Sequence, residues 1–528
     1  MAAWGFKKLN PQPSAGKIVM IGELVTETQG AIPCEIWLDR TFGTPLQVRI
    51  IEIPPRLPRV LPHLGPNGWL CYAAPGTEVI DIFEPVEQTR TSLLQATQVL
   101  EQVMAGKMVK DLQEEFFAYW PGAPCYYDIE KKSSGPLGLL RLSDDDKFVL
   151  TDNLERSRQK FEREHRVIEA CDIAVALITS NAAPRPLQHN WPPKTVRHIL
   201  DWQSQLDDAC RRKIRDKILE AYRSRRPSIM VVLESRKTGY SYGLLVRNLQ
   251  RNRPHNQRST DQSQPIFDCP ITPLQMLRLD DKYLCERNIP GQKTLQGKRI
   301  ALIGCGTIGG FLAEMLVKAG AGVSGGELLL IDNDLLSSEN LGRHRLGFNY
   351  INCNKAFALA AELKIIMPLV NVRAFDDIAQ TINLKGIDLI VDATGEEAFG
   401  HWLAKNIRSP LLHVWIEGPG TAVRALLKAR DQQACYRCIS DYNKRNELLS
   451  VVGGLEPIFA GQGCEGLYVP FSASVSIQAA ALALDCALAW VADKPWPSLS
   501  TKLTDTSRAL ATPDCSPVKR LECPACDS

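Results

Sequence analysis

Net charge is nearly absent from this chain: 62 lysines and arginines stand against 59 aspartates and glutamates, a formal balance of +3. So small an excess makes no electrostatic case for a nucleic-acid or membrane partner. No apolar leader is expected either. Met1 to Asn10 carries charges with no hydrophobic run behind them, which predicts a cytoplasmic, reducing setting. Long uninterrupted apolar runs are scarce. Only Ala473 to Ala492 approaches membrane-spanning length, and Gln478, Asp485 and several serines break it. A helix buried against a sheet or at a dimer interface is the expectation there. No internal repeat is present. The 528 residues are 45% hydrophobic and 23% charged, the make-up of an ordinary globular chain of about three domains.

What is present is concentrated between Ile303 and Lys355. Arg299 to Ile303 is a short apolar run and reads as a buried parallel strand. A glycine turn follows, Gly304-Cys305-Gly306-Thr307-Ile308-Gly309-Gly310, and then helical apolar spacing to Lys318. Glycines let the backbone approach a ligand, and the N-terminus of the next helix offers free N–H groups to an anion. Glu327 to Ile331 is the next apolar run, so Asp332 falls at a strand end, where a carboxylate grips a ribose hydroxyl. A dinucleotide-dependent dehydrogenase fits this far. It has no general need for Arg343, Arg345 and Lys355 beyond the acidic strand end. Attack on the α-phosphate of ATP does need them, because the departing pyrophosphate must be met by cations and a metal. Leu389-Ile390-Val391-Asp392 supplies a second strand-end carboxylate for that metal.

Sixteen cysteines give an independent signal. In a reducing compartment, metal or catalytic thiols are favoured over disulfides. Cys435-Tyr-Arg-Cys438 and Cys523-Pro-Ala-Cys526 form two C-x-x-C knuckles, which suit tetrahedral zinc. A thioredoxin-like redox pair is the alternative, though neither pair opens a βαβ pattern. Cys464 lies in a glycine-rich loop, Phe459-Ala-Gly-Gln-Gly-Cys464-Glu-Gly, where an accessible thiol is expected. It reads either as a nucleophile or as an incidental loop cysteine.

Toward the N-terminus, Cys34 to Asp39 and Leu46 to Glu52 read as strands, followed by a proline turn; Pro85 to Val109 reads as a long helix. Between them runs Leu61-Pro62-His63-Leu64-Gly65-Pro66-Asn67-Gly68-Trp69-Leu70-Cys71-Tyr72. Further on, Ile173 to Thr179 and Ile229 to Glu234 look like strands. Arg211 to Arg226 is helical and basic, read as a solvated face rather than a partner site. Arg251 to Gln264 has no apolar residue and reads as a linker.

The stretch from about 295 to 440 resembles the adenylating domain shared by ThiF, MoeB and the ubiquitin-activating enzymes. The matching residues are the glycine turn (Gly304, Gly306, Gly309), Asp332, Asp334, Asn340, Arg343, Lys355 and Asp392. The resemblance implies that the glycines and Asp332 hold ATP, that Asn340, Arg343 and Lys355 contact phosphates, and that Asp392 binds Mg2+. It implies a Rossmann-like fold, a structural zinc on Cys435, Cys438, Cys523 and Cys526, and a homodimer. Many relatives carry Arg-Gln where this chain has Arg343-His344. The segment around Cys71 resembles the active site of ubiquitin-conjugating enzymes. There the pattern implies a nucleophile at Cys71, and His63 stands where an asparagine steadies the oxyanion. His63 is then a hydrogen-bond donor, a base for the lysine proton, or a histidine satisfied within a turn.

The expected fold class is α/β. An α+β conjugating-like domain spans 1–145, a middle region of unassigned fold spans 146–270, and an adenylating domain spans 271–528. That order resembles the fused activating–conjugating enzymes of bacterial anti-phage operons, chiefly CBASS. The resemblance implies adenylation of a protein C-terminus, from a cyclic-oligonucleotide synthase or a ubiquitin-like protein. It further implies a thioester relay through Cys464 and Cys71 to a target lysine, with Arg343 assisting the first step. Two alternatives stay open: a sulfur-carrier adenylyltransferase, and a conjugating fold kept as a non-catalytic scaffold.

Overall fold

The computed structural model describes all residues except 1–3, 10–15, 75–76, 78–79, 131–135, 143–146, 163–167, 188–190, 251–263, 456–458, 462–467 and 527–528. Two compact units emerge, 1–127 with 133–154 and 166–277, and 128–132 with 155–165 and 278–528.

The first unit begins with a five-stranded antiparallel meander in chain order, including Lys17–Thr26, Gly30–Asp39, Gln47–Ile50 and Trp69–Leu70. Gly30–Asp39 alternates strictly, so Ile32, Cys34, Ile36 and Leu38 all enter the core. The helix Pro85–Met104 lays Leu93, Ala96, Leu100 and Val103 on that face at helical spacing. Proline at its first position costs no hydrogen bond and presets φ. A second sheet has eight strands and reaches across the chain. Ala174–Ser180 pairs parallel with Ile229–Ser235, which continues through Ser241–Val246 to Ile271–Arg278. Ala123–Asp128 is the next strand, so residues before 130 and after 270 share one sheet.

Helices Val196–Ser204 and Asp208–Arg223 cover this sheet; Cys210, Ile214 and Ile218 bury one stripe of the second. Its basic residues pair with acids of the same helix, Arg211 with Asp208 and Lys217 with Glu220, as a solvated face does. The linker expected at Arg251 to Gln264 lies, but for its last residue, outside the described residues.

The second unit is built on a seven-stranded sheet. Its spatial order is Val372–Phe375, Glu327–Ile331, Arg299–Ile303, Leu389–Asp392, Leu411–Glu417, Ala422–Lys428, Leu499–Leu503. The first five are mutually parallel and the last two antiparallel. Arg299–Ile303, Glu327–Ile331 and Leu389–Asp392 are buried on both faces, which explains their apolar runs. Chain order reverses between Arg299–Ile303 and Leu389–Asp392, and ligands of such sheets bind beyond the strand ends at that point. Ala473–Val491 is the one helix among the described residues long and apolar enough to cross a membrane by length and composition. Here Val475, Ala479, Ala483 and Cys486 pack into the same core as Leu302, Leu412 and Val423. The short pieces before residue 166 join this unit through a buried cation: Lys160 Nζ sits 2.7 Å from Asp128 Oδ1 and 3.1 Å from Asp281 Oδ1.

Trp202 is the largest fully buried side chain and stacks on Phe116 at 6.1 Å and Trp120 at 5.6 Å. Its Nε1 donates to Arg185 O at 2.9 Å. Trp202→Ala therefore leaves both a cavity and an unpaired carbonyl. Denaturant unfolding of the first unit is expected to show a loss of about 3–5 kcal/mol; a change below about 1 kcal/mol contradicts this packing.

Candidate active site

The glycine turn sits where the sheet reverses order. Ile303 is in register with both Ile331 and Asp392, so three strand ends open on one space. Gly304 has φ of 86°, and a Cβ there would lie 2.8 Å from Thr394 N. Gly306, which begins the helix Thr307–Lys318, has nothing within 4 Å of that position and leaves room for a ligand. Gly309 has another task. A Cβ on it would fall 1.8 Å from Gly304 O, so it permits the helix to pack tightly on the turn.

A cavity of about 790 Å³ lies at this place, and Gly304, Gly306, Asp332, Asp334, Asn340 and Lys355 all line it. Asp332 Oδ2 accepts from Cys305 N at 2.7 Å and Oδ1 from Asp334 N at 2.8 Å. Burial holds its carboxyl above its ordinary pKa even against these two amides. Lys355 begins the helix Lys355–Ile366, whose cap is Asn354, and its Nζ lies 2.8 Å from Asp334 Oδ2. Asn340 Oδ1 accepts from Ser337 N at 3.2 Å and so closes its own turn.

Four expected residues do not line the cavity. Arg343 donates to Val469 O at 3.1 Å and its guanidinium lies 4.3 Å from the ring centre of Phe471; both of these partners are lining residues. Gly309 is the packing position already described. Asp392 is buried, with Oδ1 accepting from Thr394 N and Oγ1 at 3.1 and 2.7 Å and Oδ2 lying 2.9 Å from His413 Nδ1. Arg345 was grouped with the phosphate-facing cations and is instead spent on Glu314 at 2.6 Å and Glu362 at 3.4 Å.

Two further histidines, His344 and His413, stand at the site. His344 lines the cavity; its Nε2 donates to Cys305 O at 2.9 Å and its Nδ1 accepts from Leu346 N at 2.9 Å. That tautomer is neutral, and burial accordingly lowers its pKa. His344 thereby ties its loop to the glycine turn. The only signal for it was the departure from Arg-Gln. His413 carried no signal, because its relation to Asp392 is one of strand pairing.

The four knuckle cysteines meet. Their sulfurs all lie within 4.8 Å of one another, and Cys435–Cys438, Cys435–Cys523 and Cys438–Cys526 are each 3.7 Å. A tetrahedron with metal–sulfur bonds near 2.3 Å has edges of about 3.8 Å, so the set fits zinc closely. Arg520 N donates to Cys438 Sγ at 3.4 Å, the kind of outer hydrogen bond that steadies a thiolate ligand.

Cys71 is exposed just past the strand Trp69–Leu70. Gly68 permits the turn before it, since a Cβ there would meet Ile50 O at 2.3 Å. The Cys71 amide donates to His63 O at 2.7 Å. Burial first, and then the charge of Glu115, raise the thiol pKa above its ordinary value. His63 adopts a left-handed φ of 57°, a conformation costing about 1–2 kcal/mol outside glycine. Both of its ring nitrogens face carboxylates: Nδ1 is 2.8 Å from Glu115 and Nε2 is 3.0 Å from Asp111. Both ring nitrogens are thus engaged in this structure. Both carboxylates come from the segment around Val109–Gln113 and not from the turn itself. Cys464 lies outside the described residues.

This geometry agrees with what the chain is similar to. Residues 284–512 match the ThiF family and residues 6–124 match the prokaryotic E2 family B. The protein is thus an enzyme of the ATP-using, activating and conjugating class, with both parts on one chain. It is 45% identical over 500 residues to the ATP-dependent ubiquitin transferase-like protein Cap2 of Pseudomonas aeruginosa strain BWHPSA011 / Pa011, covering 94% of this chain and 92% of the relative. Against the Cap2 of Vibrio cholerae serotype O1 (strain ATCC 39315 / El Tor Inaba N16961) it is 27% identical over 520 residues, covering 90% and 88%. The chain belongs to this Cap2 family of ATP-dependent ubiquitin transferase-like proteins. Among solved structures, E. coli MccB is similar at a TM-score of 0.34 and 18% identity, covering 44% of this chain and 65% of that one.

Elemental analysis of purified protein is expected to find about one zinc per chain. Cys435→Ser should lower that figure and the melting temperature together. Well under one zinc in the unaltered protein contradicts the assignment.

Proposed function

We propose that this enzyme activates the C-terminal carboxylate of a partner protein with ATP and passes the acyl group through two cysteines to a lysine amine. The observation that carries this reading is the cavity in which Gly304, Gly306, Asp332 and Lys355 converge, on a chain that also exposes Cys71 in a conjugating-type turn. In the first step a carboxylate oxygen attacks the α-phosphorus, the bond to the bridging oxygen breaks, and pyrophosphate leaves. The free N–H groups at the start of Thr307–Lys318 and the Lys355 ammonium meet that charge. Asp332 holds the ribose. Arg343, on this reading, turns from Val469 O toward the leaving group.

Magnesium, when bound, neutralises the phosphate oxygens. Asp392 would be the carboxylate to hold it. Cys464 then attacks the acyl carbon and AMP leaves. Cys71 attacks the resulting thioester, releasing the Cys464 thiol. A lysine amine attacks last, forming an amide and releasing the Cys71 thiol. Each thioester preserves the activation after ATP has been consumed. The acyl donor is the C-terminus of a cyclic-oligonucleotide synthase or of a ubiquitin-like protein, in bacterial anti-phage defence of the CBASS kind. The working form is a cytoplasmic homodimer. Division of labour follows 1–145 for conjugation and 271–528 for adenylation, with 146–270 between.

A sulfur-carrier adenylyltransferase would not need an exposed thiol held by a dedicated turn. The test separates the two halves. Lys355→Ala is expected to slow pyrophosphate exchange by about 10²–10³. Cys71→Ala should leave that exchange intact while abolishing amide formation. Conjugation at the unaltered rate by Cys71→Ala defeats the relay.

A further inference from the structure

Two acidic residues hold the turn beneath Cys71. The Glu115 carboxylate takes two N–H groups of a single residue: Oε1 lies 2.8 Å from the His63 ring Nδ1, and Oε2 accepts the His63 backbone N–H at 2.8 Å. Asp111 Oδ2 lies 3.0 Å from the other ring nitrogen. His63 in turn accepts the Cys71 amide proton on its carbonyl oxygen at 2.7 Å. A chain of contacts therefore runs from Glu115 through His63 to the main chain that carries the thiol. The same short segment holds the turn a second time, because the Tyr119 hydroxyl lies 2.7 Å from Leu61 O and 3.0 Å from Leu64 O.

A neutral imidazole has a single N–H and cannot donate to both carboxylates. Both contacts at donor distance call for the protonated ring. Glu115 foremost, with Asp111, raises the His63 pKa to about 9 against the opposing effect of burial. The other titratable groups near this turn are the Cys71 thiol and the Tyr119 phenol, both pushed up chiefly by burial and both neutral near pH 7. The protonated His63 ring is thus a cation between two carboxylates. A residue in left-handed backbone persists only where its surroundings over-determine it, and these contacts do so.

We propose that Glu115 is a positioning residue for acyl transfer at Cys71, acting through His63 to fix the main chain that carries the thiol. The proposal rests on the reading of Cys71 as an acyl-carrying cysteine. In the transfer the amine nitrogen bonds to the acyl carbon, the carbon–sulfur bond breaks, the amine proton goes to water and the Cys71 sulfur is reprotonated. Glu115 takes part in none of these steps.

The test uses the full chain. Cys71 is acylated by exchange with a glycine-terminated peptide thioester of mercaptoethanesulfonate, and peptide mapping confirms the site. Discharge to hydroxylamine is then timed for the unaltered protein and for Glu115→Gln. The ratio of the two rates cancels the ionisation of the nucleophile. Losing the Glu115 charge lowers the His63 pKa, so the ring deprotonates within the assay range. The rates are expected to agree within about threefold near pH 6 and to diverge about tenfold near pH 8, the variant being slower. A ratio that does not change with pH, whatever its size, overturns the proposal, since general loosening of the fold would give that result. If Glu115→Gln melts below the assay temperature, Asp111→Asn carries the same expectation and the same refutation. Failure of the underlying reading looks different: Cys71→Ala would still conjugate, in an assay where Glu115 is untouched.

Discussion

The parallel register of Arg299–Ile303 with its two neighbours is the constraint on which the adenylating half depends. It brings Ile303, Ile331 and Asp392 to one edge of the sheet. Everything the cavity at the glycine turn needs follows from that alignment. The glycine turn must reverse direction there, and Gly304 and Gly309 are the residues that allow it without collision. Asp332 is then drawn against the turn by the Cys305 and Asp334 amides, and Lys355 is brought back by the cap at Asn354. The core behind it, in which Ala473–Val491 packs against the strands, keeps those ends level.

The conjugating half solves a different problem by different means. Its cysteine sits on a short strand end, not in a cleft, so a regular sheet cannot hold it alone. Ionic contacts from the segment around Glu115 meet both ring nitrogens of His63 beneath it. The two halves therefore treat histidine in opposite ways. His344 is buried neutral between a carbonyl and an amide, while His63 is kept charged between two carboxylates. The difference in their partners decides the difference in their pKa.

Much of this was legible from residue order. Arg299–Ile303, Glu327–Ile331 and Leu389–Asp392 occur where apolar runs placed them, because a strand buried on both faces writes itself as such a run. Asp332 and Lys355 could be placed near a phosphate site for the same reason: strand ends and helix starts fix them. Pairing across long separations left no such trace. Nothing local marks Ala123–Asp128 as a neighbour of Ile271–Arg278, or His413 as a partner of Asp392. Charge alone also misled. Arg345 reads like Arg343 in sequence, but Glu314 and Glu362 face it in space, one from each of two helices.

On the proposed reading, one chain both makes an acyl-adenylate and receives the acyl group on Cys71. Mapping the Cys71 peptide by mass spectrometry, after incubation with ATP, magnesium and the acyl donor without reductant, tests it most directly. The account predicts a thioester on that peptide that hydroxylamine removes and that Lys355→Ala fails to form. Amide product appearing while the Cys71 peptide stays unmodified at every time point would contradict it.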